Sequence, residues 1–153
     1  MTDFRFRAAA ALDLRRRQET TLSTSLAVAE AEFRAAEAHA SQAEADRRTA
    51  QEHLVTAERR GSDMPTLVWH RNWIVRLAND LAARRAYAET LAQTVREVEA
   101  QWRLARQRRL ALERMRDRAL RRHEQEQQRQ EIKVIDELAR LRFVMADIWR
   151  DDS

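Results

Sequence analysis

The stretch Gly61-Ser62-Asp63-Met64-Pro65 decides how this chain folds. It contains the only glycine and the only proline of the 153 residues, and these two residue types interrupt helices most strongly. The sequence on both sides is rich in Ala, Arg, Glu, Gln and Leu, a composition typical of long helices and coiled coils. A long helix-forming sequence that is interrupted once predicts a hairpin of two helices.

The residues before the turn predict one helix over about residues 3–60, because Asp3 can cap it and no breaker follows. Apolar or small side chains recur there at alternating steps of four and three, which is the seam of a coiled coil. These seam residues are Leu22, Leu26, Ala29, Phe33, Ala36, Ala40, Ala43, Ala50, Leu54 and Ala57. Most of them are alanine, so each layer of the seam buries little apolar area.

The same pattern resumes after Pro65 and predicts a second helix over about residues 66–149. Its seam residues are Leu67, Ile74, Leu77, Leu81, Ala88, Leu91, Val95, Val98, Trp102, Ala105 and Leu112. Matching the two heptad patterns about the turn at 61–65 makes the residue numbers of facing positions add up to about 128. The expected fold is therefore all-α, a long two-helix antiparallel coiled-coil hairpin that forms a single domain over residues 1–153.

The second helix is expected to extend beyond the first. The register places Phe4 opposite about His123, which leaves an overhanging C-terminal helix of about 26 residues, on the order of 40 Å long. Residues 124–131 of this overhang contain no apolar side chain, and an apolar stripe follows at Val134, Leu138, Leu141, Met145 and Ile148, with Ile135 and Trp149 beside it. The stripe either packs against Phe4 and Phe6 of an extended N-terminus or docks another protein.

Two further features each leave two interpretations open. Trp69 and Trp73 lie one helical turn apart just after the turn, where they either cap the hairpin against Leu54, Val55 and Met64 or form an exposed contact site. Nine arginines between residues 103 and 122 form a basic run with Glu113 and Asp117 inside it. That run is either a salt-bridged helix face or a surface for nucleic acid.

Catalytic and metal-binding motifs are absent from the sequence. There is no HExxH, no Gly-rich phosphate loop and no cysteine, and no histidine has a Glu three residues before it. We therefore expect no cofactor, no metal and no enzymatic activity. The lack of cysteine and of a long apolar run leads us to expect a cytosolic protein.

Several of these residues resemble the C-terminal signature of the flagellar export protein family FliJ. They are Trp102-Arg103, the residues from Glu113-Arg114 through Arg118, and the run QEIKVIDELAR over residues 130–140, which includes Lys133, Asp136 and Glu137. The family is also similar in length and in the place of its turn. The YscO-like stalk proteins of virulence-type secretion systems share this architecture and are the alternative.

The resemblance implies a non-enzymatic stalk and coupling component of the type III export apparatus, which serves flagellum biogenesis and motility and acts at the cytoplasmic face of the inner membrane at the flagellar base. The implied partners are the export ATPase hexamer, the export-gate membrane protein and export chaperones. The residues expected to contact the ATPase are Lys133, Asp136, Glu137, Leu138, Leu141 and Met145. Trp73 and Leu77 occupy the places of the family's gate contact. A coiled-coil dimer without this role is a further interpretation.

Overall fold

The computed structural model describes residues 3–151 and is an all-α helical hairpin, as the sequence predicts. Helix α1 spans Ala9–Arg59 and helix α2 spans Met64–Asp151. No strand occurs among the described residues. Residues 1–2 and 152–153 of the expected 1–153 domain lie outside them.

The chain divides into two compact units. The turn unit comprises residues 17–106, and the terminal unit comprises residues 3–16 together with 107–151. Each unit therefore contains a part of α1 and a part of α2.

The turn occupies residues 60–63, whereas the sequence led us to expect 61–65. Gly61 has a φ of 68°, in the left-handed region that glycine adopts without steric cost. Its N–H donates to the carbonyl of Glu58 at 3.2 Å, and the N–H of Ser62 donates to the carbonyl of Ala57 at 3.1 Å. These two bonds form a Schellman motif, which satisfies carbonyls at the end of α1 and reverses the chain.

Helix α2 begins two residues earlier than predicted, at Met64. Asp63 caps it, because the N–H of Thr66 donates to the Asp63 carboxylate at 3.3 Å and the N–H of Leu67 donates to the Asp63 carbonyl at 3.1 Å. Pro65 lies in the first turn, where a backbone N–H has no intrahelical partner in any case. The proline therefore starts the second helix rather than delaying it.

The prediction that α1 begins at Asp3 was wrong, since the helix starts at Ala9. Residues 3–6 are not helical, and half-buried Phe4 and Phe6 alternate there with exposed Arg5 and Arg7. This period of two is that of an extended chain, which turns both phenylalanines to the same side. The Phe4 ring lies 5.6 Å from the His123 ring, as the register predicts.

The predicted seam is the core of the turn unit. Among its seam residues, Leu81 and seven alanines are buried, namely Ala29, Ala36, Ala43, Ala50, Ala57, Ala88 and Ala105. The larger predicted seam residues are half-buried: Leu22, Leu26, Phe33, Leu54, Ile74, Leu91, Val95, Val98 and Trp102. The small alanine side chains let the two helices approach closely, so the core is narrow.

Ion pairs between the helices give the register directly. Arg71 pairs with Glu58 at 3.4 Å and Arg85 with Glu44 at 3.3 Å in the turn unit, and the residue numbers of each pair add up to 129. In the terminal unit the Arg16–Glu113 pair, at 3.2 Å, adds up to the same number. The observed register thus agrees with the predicted value of about 128 to within one residue.

Candidate functional site

The end of helix α2 is the largest exposed apolar surface of the terminal unit. All residues from 128 to 150 are exposed, although the helix continues to Asp151. The large apolar side chains in this overhang are between 55% and 76% exposed, and they are Ile132, Val134, Ile135, Leu138, Leu141, Phe143, Val144, Met145, Ile148 and Trp149. Monomeric proteins rarely expose so many contiguous apolar side chains, so this surface is a candidate contact site.

The apolar stripe of the overhang continues the seam of α2. Going from His123, steps of four or three lead through Gln127 and Gln130 to Val134 and then along the stripe to Ile148, and such steps keep residues on one side of a helix. Phe4 already meets His123, and no described residue precedes Asp3. Phe4 and Phe6 therefore do not cover the stripe, and of the two predicted alternatives the structure favours the docking face.

Three of the six residues predicted to contact an ATPase lie close together. With about 100° of rotation per residue, Leu138, Leu141 and Met145 fall within about 60° of one another on the stripe. Glu137 lies at the edge of the stripe, and Lys133 lies about 40° beyond it. Asp136 is on the opposite side of the helix, so a partner that covers only the stripe does not reach it.

Seven other large apolar residues of the overhang are exposed and were missing from the predicted contact set, namely Ile132, Val134, Ile135, Phe143, Val144, Ile148 and Trp149. Val144 and Ile135 widen the apolar surface to about 180° of the helix circumference, whereas Ile132 and Phe143 lie on the same side as Asp136. Phe143 is the most exposed of them, at 76%. The run Phe143-Val144-Met145 in the sequence is the signal that could have identified this wider surface.

The tryptophan pair near the turn is exposed. Trp69 and Trp73 are 60% and 40% exposed, and their rings stack with centroids 6.2 Å apart. Met64 and Val55 are exposed as well, so the pair does not cap the hairpin. Arg76 lies 5.9 Å from the Trp73 ring centroid. Of the two residues predicted to contact the export gate, Trp73 presents this exposed ring, while Leu77 is half-buried at the edge of the seam.

The basic run is salt-bridged only in part. Arg109 pairs with Glu113 at 2.7 Å and Arg116 pairs with Asp117 at 3.1 Å. Further along the run, Arg118 and Arg122 donate to the backbone carbonyls of Arg114 and Arg118. Arg103 at the start of the run pairs with Glu99, so three of the nine arginines form the salt-bridged helix face that was one of the two interpretations.

Within residues 3–151 no group of three or more His, Cys, Asp or Glu side chains is placed to hold a metal ion. Among these residues no helix is long and apolar enough to cross a membrane.

The chain matches the family described as Flagellar FliJ protein over residues 8–146. No curated protein and no solved structure shows a significant match to it. Because the family match covers nearly the whole chain, including the turn and most of the overhang, this protein belongs to the FliJ family and is a flagellar, export-related protein.

Proposed function

We propose that this protein is the stalk and coupling component of the flagellar type III export apparatus, and that its overhang binds the ring of the export ATPase. The observation that carries the proposal is the exposed apolar stripe of α2. Among residues 3–151 no helix packs against this stripe, which begins beyond the contact of Phe4 with His123. A partner helix on the stripe would take the place that α1 takes along the rest of the seam.

The width of the apolar surface favours a ring as the partner. A two-stranded seam needs only a narrow stripe of a helix, whereas the surface from Val144 to Ile135 covers about half of the circumference. Several helices or loops around the overhang bury such a surface, and a hexameric ring supplies them. Phe143 and Ile132, on the other side, would contact the ring wall there.

The charged residues of the predicted contact set have separate roles in this proposal. Leu138, Leu141 and Met145 supply the apolar contact, and Glu137 and Lys133 flank it. Asp136 faces away from the stripe and would contact a different subunit of the ring. Charged residues at an interface determine the orientation and specificity of binding more than its affinity.

The remaining parts of the proposal concern location and other partners. Trp73, with Leu77 beside it, would contact the export-gate membrane protein, and export chaperones would bind elsewhere on the chain. The protein would then act as a non-enzymatic, peripheral component at the cytoplasmic face of the membrane at the flagellar base. Family membership supports the flagellar system over a virulence-type one.

The test replaces Leu138, Leu141 and Met145 together by serine in the full-length protein. Affinity for the purified export ATPase of the same bacterium should fall by at least tenfold, because burying each of these side chains in an interface is worth about 1 kcal/mol or more. Isothermal titration calorimetry gives the affinity, and circular dichroism should give the same helix content and melting temperature as the wild type, because the three side chains are exposed.

A matched control replaces Val28, Val75 and Leu104 by serine. These three residues are apolar and 46% to 59% exposed, but they lie in the turn unit. The control variant should bind the ATPase like the wild type. If the overhang variant binds the ATPase with the wild-type affinity, or loses no more affinity than the control variant, the overhang is not the ATPase-binding surface.

A further inference from the structure

A cluster of exposed arginines surrounds the base of the overhang. We call it the arginine collar, and it consists of Arg5, Arg7, Arg114, Arg118, Arg121 and Arg122, all of which are exposed residues of the terminal unit. Within residues 3–151 none of the six has a carboxylate partner. Arg118 and Arg122 donate only to backbone carbonyls of their own helix, at 3.3 and 3.4 Å.

The two acidic residues that lie between the collar arginines or just before them on α2 are already paired with other arginines. Glu113 accepts hydrogen bonds from Arg16 and Arg109, and Asp117 accepts from Arg116. Residues 3–16 and 107–123 together hold eleven arginines and four acids, a net charge of +7, although the whole chain carries only +4. The overhang from 124 to 151 has five basic and seven acidic residues, a net charge of −2. Positive charge is thus concentrated just before the overhang begins.

The collar arginines point to different sides of α2. Arg114, Arg118 and Arg121 follow one another at steps of four and three, and they lie about 140–180° around the helix axis from His123. Arg5 and Arg7 are on the opposite side, because their segment packs Phe4 against His123. Unpaired guanidinium groups therefore flank the base of the overhang on two opposite sides.

We propose that the arginine collar binds a ring of carboxylate side chains, the acidic rim of the protein ring that the overhang enters. This inference rests on the proposed function, since the same ring holds the overhang. Guanidinium groups suit carboxylates because they donate two parallel hydrogen bonds. A rim that encircles α2 contacts both sides of the collar at once.

The distribution of charge favours an acidic protein over nucleic acid or a lipid surface. A duplex or a flat membrane contacts one side of α2 only, where the three arginines from Arg114 to Arg121 extend over about 10 Å. Both sides of the collar are used only if the partner surrounds the helix.

The test replaces Arg114, Arg118 and Arg121 together by alanine in the full-length protein and measures its affinity for the cognate export ATPase over a series of salt concentrations. At about 50 mM salt, where screening is weak, the affinity should fall about tenfold, because each partly exposed ion pair is worth roughly 0.5 kcal/mol. The dependence of affinity on salt should also become weaker than in the wild type. A control that replaces Arg17, Arg34 and Arg60 removes the same charge from exposed sites of the turn unit and should bind like the wild type.

The outcomes separate this proposal from the proposed function. If the serine variant of Leu138, Leu141 and Met145 loses affinity while the arginine variant keeps the wild-type affinity and salt dependence, the collar proposal is wrong and the proposed function stands. Failure of the wild-type protein to bind the ATPase at low salt overturns both. A further outcome concerns other partners. If the wild type binds a 20-base-pair DNA duplex or anionic lipid vesicles, and the arginine variant loses this binding but keeps its affinity for the ATPase, the collar proposal is wrong.

Discussion

At the scale of single residues, Glu44 is an acid of the turn unit that pairs with arginines of both helices. Its carboxylate accepts from Arg47 at 2.9 Å and from Arg48 at 3.3 Å within α1, and from Arg85 of α2 at 3.3 Å. Arg47 fills the one place in the first seam where an apolar residue is missing. Glu44 thus offsets the charge of Arg47 at the seam, and its ion pair with Arg85 connects this position to α2.

The hydrogen bond from Arg47, with Arg85 and Arg48 nearby, lowers the pKa of Glu44 from its ordinary value of 4.5. Because the folded state favours the ionised carboxylate, Glu44 stabilises the fold above pH 4.5, and this contribution is lost as the pH falls through the lowered pKa. We predict that Glu44→Gln lowers the melting temperature at neutral pH and that the difference from the wild type disappears at strongly acidic pH. Thermal unfolding followed by circular dichroism across this pH range measures both effects.

Glu52→Gln is the matched control, because Glu52 lies on α1, is exposed, and makes no side-chain ion pair in the described chain. It should melt like the wild type at every pH. If the melting temperature of Glu44→Gln still differs from that of the wild type in strong acid, the Glu44 carboxylate does not have the role given to it.

At the scale of the elements, α2 consists of a part packed on α1 and a part without such packing. Seam residues from Leu67 to Leu112 are buried or half-buried, apart from Arg84, which takes a seam place but is exposed. Beyond residue 127 every side chain to residue 150 is exposed. The overhang is therefore helical without contributing to the core.

We predict that removing residues 132–153 changes the melting temperature of the hairpin by less than about 2 °C, because residues 132–150 are all exposed and add nothing to the buried core. Helix content should fall only by the residues removed. Circular dichroism at 222 nm during a thermal scan measures both quantities.

Leu12→Ala provides the comparison, because Leu12 is 3% exposed and is a buried residue of the terminal unit. Its truncation should cost about 2–3 kcal/mol and lower the melting temperature by several degrees. If the shortened chain is destabilised as much as Leu12→Ala, the overhang packs on the hairpin after all.

At the scale of the whole molecule, the place of the turn in the sequence sets the length of the overhang. Gly61 and Asp63 end α1 and begin α2 at fixed positions, and the register then determines which residue of α2 faces the first residues of the chain. The contact between Phe4 and His123 marks where the pairing ends. A change in the length of α1 alone should therefore move this point along α2.

We predict that deleting residues 37–43, one heptad of α1, moves the end of pairing to about residue 116 and lengthens the overhang by about 10 Å. Arg118, Arg121 and Arg122, whose side chains are already exposed, should be cleaved faster by trypsin, because their segment of α2 no longer packs beside the start of the chain and unfolds locally more easily. Limited proteolysis followed by mass spectrometry locates the first cleavage sites.

The matched control deletes residues 37–43 and also 86–92, which face each other because the numbers of facing residues add up to 129. It shortens both helices equally, so the first cleavage sites should stay where they are in the wild type. Unchanged cleavage sites in the single deletion would show that the turn does not determine the overhang.

Much of this protein follows from local sequence patterns. A single breaker, two heptad repeats and their register depend on residue type and spacing, and a long helix has few alternatives when glycine and proline occur only at residues 61 and 65. The hairpin, its seam and the facing of Phe4 and His123 were therefore predictable. The place of Pro65 within the first turn of α2 was not, because proline both ends helices and begins them.

Tertiary structure alone decides the features that depend on contacts between segments distant in the sequence. The sequence around Phe4 and Phe6 is compatible with a helix and with an extended chain, whereas in the structure residues 3–6 are not helical and the Phe4 ring lies beside the His123 ring. Likewise, the sequence of an arginine run does not show which of its members pair with acids. The structure shows that Glu113 pairs with Arg16 and Arg109, and Asp117 with Arg116, which leaves the collar arginines without a described carboxylate partner. Periodicity specifies which side of a helix is apolar, but only the position of the other chain segments determines which part of that side is covered and which is left for a partner.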